Sequence, residues 1–223
     1  MEQKGQNGQE QILVGIDVGS TTTKVAVMEA ATGKVLFSDY TRHHSDQLQS
    51  VSRAVKLVKE TLAGRSFLTA MTGSGAKRLS EELGIPYVQE VVANSIALKA
   101  MYGEIGTAIE LGGQDAKIIF FQRDKRTGEL QVADMRMNGS CAGGTGAFVD
   151  EIASLLKTPV EEFDALAAQG TTVYDISGRC GVYAKTDIQP LLNQGVKKSD
   201  LALSSFHAIA KQTIGGLAPV SYT

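Results

Sequence analysis

The chain has 223 residues, 22 Lys and Arg against 24 Asp and Glu, a formal net charge of −2 and 43% hydrophobic residues. That length holds one large domain or two small ones with a real core. The balanced charge lacks the basic excess of a nucleic-acid footprint, and no apolar run approaches the ~20 residues of a membrane helix, so both classes of partner are set aside. The polar start MEQKGQNGQEQ has no apolar signal core, and two cysteines are too few for a disulfide scaffold. A reducing cytoplasm is the expected setting.

Residues 1–11, rich in Gln, Glu and Gly, read as a disordered tail. ILVGIDV (12–18), KVAVMEA (24–30) and VLFSDY (35–40) read as three strands in a meander, with ATGK as a turn. In SDQLQSVSRAVKLVKETLAG, Leu48, Val51, Val55, Val58 and Leu62 recur at helical spacing, and Gly64 is a plausible stop. FLTAMTGSG reads as strand and turn, and residues 75–83 and 91–103 as helices. This order predicts an α/β layer domain.

Near residue 107 the pattern restarts. IDVGSTTTKVAVM (16–28) aligns without a gap on IELGGQDAKIIFF (109–121), at an offset of 93 residues. Ile16 meets Ile109, Asp17 meets Glu110, Gly19 meets Gly112, Lys24 meets Lys117 and Val25 meets Ile118. The chain thus carries two copies of one device: an apolar strand ending in an acid, a small-residue turn and a second apolar strand. The expected domains are 12–106 and 107–223. Turns of Gly, Ser and Thr expose backbone N–H groups that bind anions. Ser20, Thr21 and Thr22 add hydroxyls, and Asp17 and Asp115 add carboxylates suited to Mg²⁺ held through water. Two such turns are expected to grip a polyphosphate across a cleft.

IDVGSTTTK resembles the first phosphate motif of the actin, Hsp70 and sugar-kinase superfamily, and ELGGQDAK is similar to its second. NGSCAGGTGAF and GRCGVYAKTDI resemble one branch in particular, the BadF/BadG/BcrA/BcrD ATPases, which include activators of 2-hydroxyacyl-CoA dehydratases. The likeness runs from about Ile12 to about Leu217, and the cysteine motifs are its specific part. The resemblance implies two ribonuclease-H-like α/β domains facing across a nucleotide cleft. It also implies ATP-driven injection of one low-potential electron into a partner dehydratase.

Cys141 and Cys180 are flanked by glycine and polar residues, and each precedes an expected helix, AFVDEIASLLK or DIQPLLNQG. A helix N-terminus stabilises negative charge, thiolate included. A disulfide between them stays open on sequence alone, though a cytoplasmic setting disfavours it. Two thiolates do not complete a metal site of four ligands; a two-fold dimer supplies four, the ligand set of a [4Fe-4S] cluster. The resemblance implies the same arrangement, a homodimer bridged by one cluster with one nucleotide per subunit.

The expected roles follow from the motifs. Gly19, Ser20, Thr21, Thr22, Lys24, Gly112 and Gly113 hold the phosphates of ATP or ADP. Asp17 and Asp115 hold Mg²⁺ or its waters, Gln114 orients the attacking water, and Gly144, Thr145 and Gly146 form a distal phosphate loop. Cys141 and Cys180 ligate the cluster. Two departures stand out: Glu110 replaces the superfamily's usual Asp, and the chain ends at GGLAPVSYT, ahead of the superfamily's adenosine loop, so the second domain is expected to be incomplete. A small-molecule kinase of the same superfamily is one rival reading, and a nucleotide-switched scaffold without redox chemistry is another. The cysteine pair separates both from an activator.

Overall fold

A computed structural model describes residues 11–138 and 145–217. The chain divides into two compact units, Met1–Leu98 and Lys99–Thr223. All but the last residue of the expected tail at 1–11 lies outside the described residues, as do Cys141 and Gly144.

In the first unit, strand β1 (Ile12–Val18) alternates, and Ile12, Val14, Ile16 and Val18 are buried. Strands β2 (Thr22–Glu29) and β3 (Val35–Arg42) follow as an antiparallel meander. Helix α1 (Gln47–Leu62) then crosses over to β4 (Phe67–Thr72), which pairs parallel to β1, so the sheet order is β3-β2-β1-β4. The Asp46 side chain caps α1 by accepting from the Gln49 N–H at 3.0 Å. At the other end Ala63 is left-handed and Gly64 takes φ +84°. Val51, Ala54, Val58 and Leu62 of α1 join Met71 and the inner face of β1 and β2 in one core. Leu48, expected on that stripe, is 59% exposed. At 100° per residue it lies roughly a quarter-turn off the stripe's centre, and Ser50 turns inward instead. Helices α2 (Ala76–Leu83) and α3 (Glu90–Tyr102) follow.

The second unit opens with an antiparallel meander, β5 (Thr107–Leu111), β6 (Ala116–Arg123) and β7 (Leu130–Met137), in the order β5-β6-β7. Ala116 and Ile118 of β6 pack on Leu217 at the end of the last helix. A helical core follows, from α4 (Gly146–Leu155), the short α5 (Phe163–Ala167), α6 (Gly181–Asn193) and α7 (Lys198–Leu217). Phe148, Ile152, Leu156, Phe163, Ile188 and Leu201 fill it, each at most 1% exposed. No helix among the described residues is long and apolar enough to cross a membrane.

The chain between α5 and α6 has no ladder of its own and is fastened to α7. The Thr171 and Thr172 N–H groups donate to Asp200 Oδ1 at 2.7 and 3.1 Å, and the Tyr174 N–H donates to Ser204 Oγ at 2.9 Å. These two backbone donors hold the Asp200 carboxyl below the usual carboxylate range. A carboxyl lowered by folding stabilises the fold fully above its unfolded pKa, about 4, and loses that contribution as pH falls through the folded value. Asp200→Ala is expected to lower the melting temperature by several degrees at neutral pH, since two N–H groups lose their acceptor. The gap to wild type should narrow on acidification below pH ~4, as wild type loses the same charge. Thermal melts of both proteins at pH 7 and pH 3 check this.

Candidate functional site

At the C-terminal end of β1 the strand register lays four side chains in a row across the sheet. Tyr40 pairs with Lys24, Lys24 with Asp17, and Asp17 with Thr72. They lie on the face opposite the core, because Ile16 and Val18, one step either side of Asp17, point inward. Lys24 Nζ bonds Asp17 Oδ2 at 2.7 Å and stands 5.6 Å from the centre of the Tyr40 ring. Thr72 Oγ1 is buried and has no hydrogen-bond partner among the described residues. An orphaned hydroxyl beside a carboxylate fits a hydrated cation or a ligand oxygen.

Gly19 to Thr22 closes the hairpin above this row, with the Gly19 N–H donating to Thr22 O at 2.9 Å. Ser20 and Thr21 sit at its tip, half-buried. Beyond β4, Gly73 takes φ +99°, and a Cβ there would overlap Asp17 Oδ1 and the Val18 carbonyl. The Gly75 N–H, at the start of α2, donates to that carbonyl at 2.8 Å.

The second unit repeats the device at the offset of 93 residues. Glu110 pairs with Lys117 across β5 and β6, at 3.4 Å, where Asp17 pairs with Lys24. The Gly112 N–H donates to Asp115 O at 2.7 Å, where Gly19 donates to Thr22. The two copies differ in burial: the Lys117 side chain is 7% exposed and that of Lys24 is 40% exposed. The ammonium of the second copy is therefore shielded from solvent, whereas that of Lys24 is partly exposed. Gln114 is exposed and Asp115 half-buried.

Helix α4 starts directly on this second turn. The Gly146 N–H donates to Gly112 O and the Ala147 N–H to Gly113 O, each at 2.9 Å. Thr145, at the N-cap of α4, is 1% exposed. The structure thus brings Thr145 and Gly146 together with Gly112 and Gly113. Cys180 is the N-cap of α6, free and half-buried. The carboxylate of Glu151, one turn along α4, stands over Gly181, so the residue after Cys180 has no room for a side chain without moving it. Among the described residues no group of three or more His, Cys, Asp or Glu is placed to hold a metal ion. Cys180 fits as one thiolate ligand at a helix N-terminus.

Thr72 and Gly73 belong to the first site and lie outside its sequence motifs. Thr72 and Gly73 were readable only as a strand end and a turn. Their place beside Asp17 depends on β4 pairing with β1 across a long crossover.

The two α/β units, each opening on a strand-turn-strand with a small-residue turn, have the actin, Hsp70 and sugar-kinase class of ATPase fold. The profile of the BadF/BadG/BcrA/BcrD ATPase family matches residues 14–218, and the chain belongs to that family. It is 28% identical over 207 residues to the (R)-2-hydroxyglutaryl-CoA dehydratase activating ATPase of Acidaminococcus fermentans, covering 91% of this chain and 75% of that one. The crystal structure of the Acidaminococcus fermentans dehydratase component A matches with a TM-score of 0.75 at 27% identity, over 92% of this chain and 76% of that one. The activator of the 2-hydroxyisocaproyl-CoA dehydratase from Clostridium difficile with bound ADPNP shares the fold, with a TM-score of 0.81 at 21% identity, over 95% of this chain and 78% of that one.

Proposed function

We propose that the chain is an ATP-hydrolysing activator that injects an electron into a partner enzyme acting on a CoA-linked substrate. The observation that carries this reading is the seating of α4 on the second turn through Gly146 and Ala147. It joins the segment that follows Cys141 to the glycines that would hold phosphate. The relatives named as dehydratase activators support a 2-hydroxyacyl-CoA dehydratase, as separate protein or fused domain, as the partner. The reading takes 12–106 as the first ATPase domain, 107–223 as the second, and the cytoplasm as its setting.

In this reading Ser20, Thr21 and Thr22 offer donors to the phosphates, Gly19, Gly112 and Gly113 keep the two turns free of side chains so that phosphates can approach the backbone, and Gly144, Thr145 and Gly146 close on the distal one. Asp17 and Asp115 hold Mg²⁺ through its waters, and Gln114 orients the water that attacks. Lys24 neutralises Asp17 across 2.7 Å. With Mg²⁺ near Asp17, Lys24 would be able to reach a phosphate oxygen, where its ammonium would supply a charged donor. Cys141 and Cys180 from two copies of the chain bind one cluster at a two-fold axis. When bound, the [4Fe-4S] cluster supplies a one-electron donor of low potential. A nucleotide changes such a protein only through contacts that differ between two states; the bonds from α4 to Gly112 and Gly113 are where those differences would enter.

The test is an anaerobic preparation in which ATP hydrolysis, iron and sulfide are measured per chain. About four irons per two chains with ATP hydrolysis supports the reading. Lys24→Ala should raise the KM for ATP by about ten- to a hundredfold, the worth of one charged hydrogen bond. Phosphoryl transfer to a small molecule in iron-free protein would make it a kinase instead, and ATP binding without iron would leave a nucleotide-switched scaffold.

A further inference from the structure

His43 is the first residue after β3 and is 6% exposed. Its main-chain N–H donates to Thr21 O at 3.1 Å, and its ring Nε2 lies 3.1 Å from Gly19 O. Both contacts go to the turn between β1 and β2. The tautomer is set from the other side of the ring, where the Ser45 N–H donates to Nδ1 at 3.1 Å. Nδ1 is therefore an acceptor, and Nε2 carries the proton that it donates to Gly19 O. His44 and Ser45 take φ +46° and +70°, a left-handed pair of non-glycine residues that brings the Ser45 N–H back onto the ring.

We propose that His43 is a positioning residue for anion binding at the first turn, a role that rests on the nucleotide reading above. The carbonyl of one residue and the N–H of the next point in opposite directions across a trans peptide. With the Gly19 carbonyl held on the imidazole, the Ser20 N–H is turned away from it, as a donor for a phosphate oxygen. A glycine beside that peptide offers little resistance to rotation, so without the ring the plane is free to flip. The flip presents the carbonyl, an acceptor, where an anion needs a donor. The second unit fastens the residue after its third strand to β6 rather than to the turn. Asn138, the first residue after β7, accepts from the Ala116 N–H with its Oδ1 at 2.8 Å and donates its own N–H to Ala116 O at 3.0 Å. In both units the first residue after the third strand bonds back to the hairpin, His43 to its turn and Asn138 to the start of β6.

The test compares His43→Leu, which removes the donor, with His43→Gln, whose side-chain amide nitrogen replaces Nε2. Binding of an ATP analogue should weaken roughly ten- to a hundredfold in His43→Leu, the range for one hydrogen bond to a charged group, and His43→Gln should recover most of it. Nitrogen NMR of the wild-type ring should show a protonated Nε2 and an unprotonated Nδ1. Wild-type binding matched by His43→Leu overturns the inference and leaves the nucleotide reading standing. So does equal weakening in both variants with equal loss of melting temperature, the mark of a merely structural residue, and so does the opposite ring tautomer. A wild type that binds no ATP overturns the nucleotide reading, and the inference with it.

Discussion

Gly73→Ala is expected to destabilise the first unit by about 2–5 kcal/mol and to remove ATP hydrolysis beyond what that loss explains. The residue sits at φ +99°, outside the conformations that an alanine adopts without strain. Its Cβ would meet the Val18 carbonyl, a backbone group, so no side-chain rotation relieves the overlap. That carbonyl also accepts the Gly75 N–H at 2.8 Å, the bond that ties the start of α2 to the end of β1. The second overlap is with Asp17 Oδ1, which must move away from Lys24 or from Thr72. Stability and chemistry are thus damaged by one methyl group through two different atoms. Gly15→Ala is the control: it lies two residues from Asp17 on the same strand, and a Cβ there meets nothing within 4 Å. Urea midpoints for both variants, with ATP hydrolysis measured well below the melting temperature, check the pair. Equal behaviour of the two would remove Gly73 from the site.

Much of this fold was legible because its signals are local. The strand read at 12–18 is β1, and the helices read at 75–83 and 91–103 lie within a residue of α2 and α3. The restart at residue 107 was legible too, and it appears as matching hydrogen bonds, Gly19 to Thr22 and Gly112 to Asp115. Strand β7 was not, since most of its residues are exposed and a strand without a buried face carries no alternation to read. The short α5, five residues long, is below the length at which helical periodicity is visible. At the site, the motif residues were readable and their supports were not. Asp17 and Lys24 are seven residues apart and meet through one hairpin. Asp17 and Thr72, or Gly19 and His43, meet only because the strand order is β3-β2-β1-β4.

Replacing Cys180 with serine should remove iron and leave the fold at least as stable as before. The residue caps α6 in an extended conformation, φ −164° and ψ 166°, and its side chain makes no capping hydrogen bond. Serine is among the best N-cap residues, and its hydroxyl accepts from the N–H groups of the first turn, an interaction worth about 1 kcal/mol. Nor does Cys180 belong to the helical core formed by Phe148, Ile152, Ile188 and their neighbours, so no cavity opens. The melting temperature of Cys180→Ser should therefore equal or slightly exceed that of iron-free wild type. Iron in an anaerobic preparation should fall to background, because a hydroxyl is a poor substitute for a thiolate on iron. Nucleotide binding should persist, since the turns at Gly19 and Gly112 are closed by bonds that do not involve this residue. Two results would make the thiol structural rather than a ligand. One is a loss of several kcal/mol against iron-free wild type, as core truncations give. The other is iron content equal to wild type, which leaves a half-buried cysteine beside a glycine with no role in metal binding.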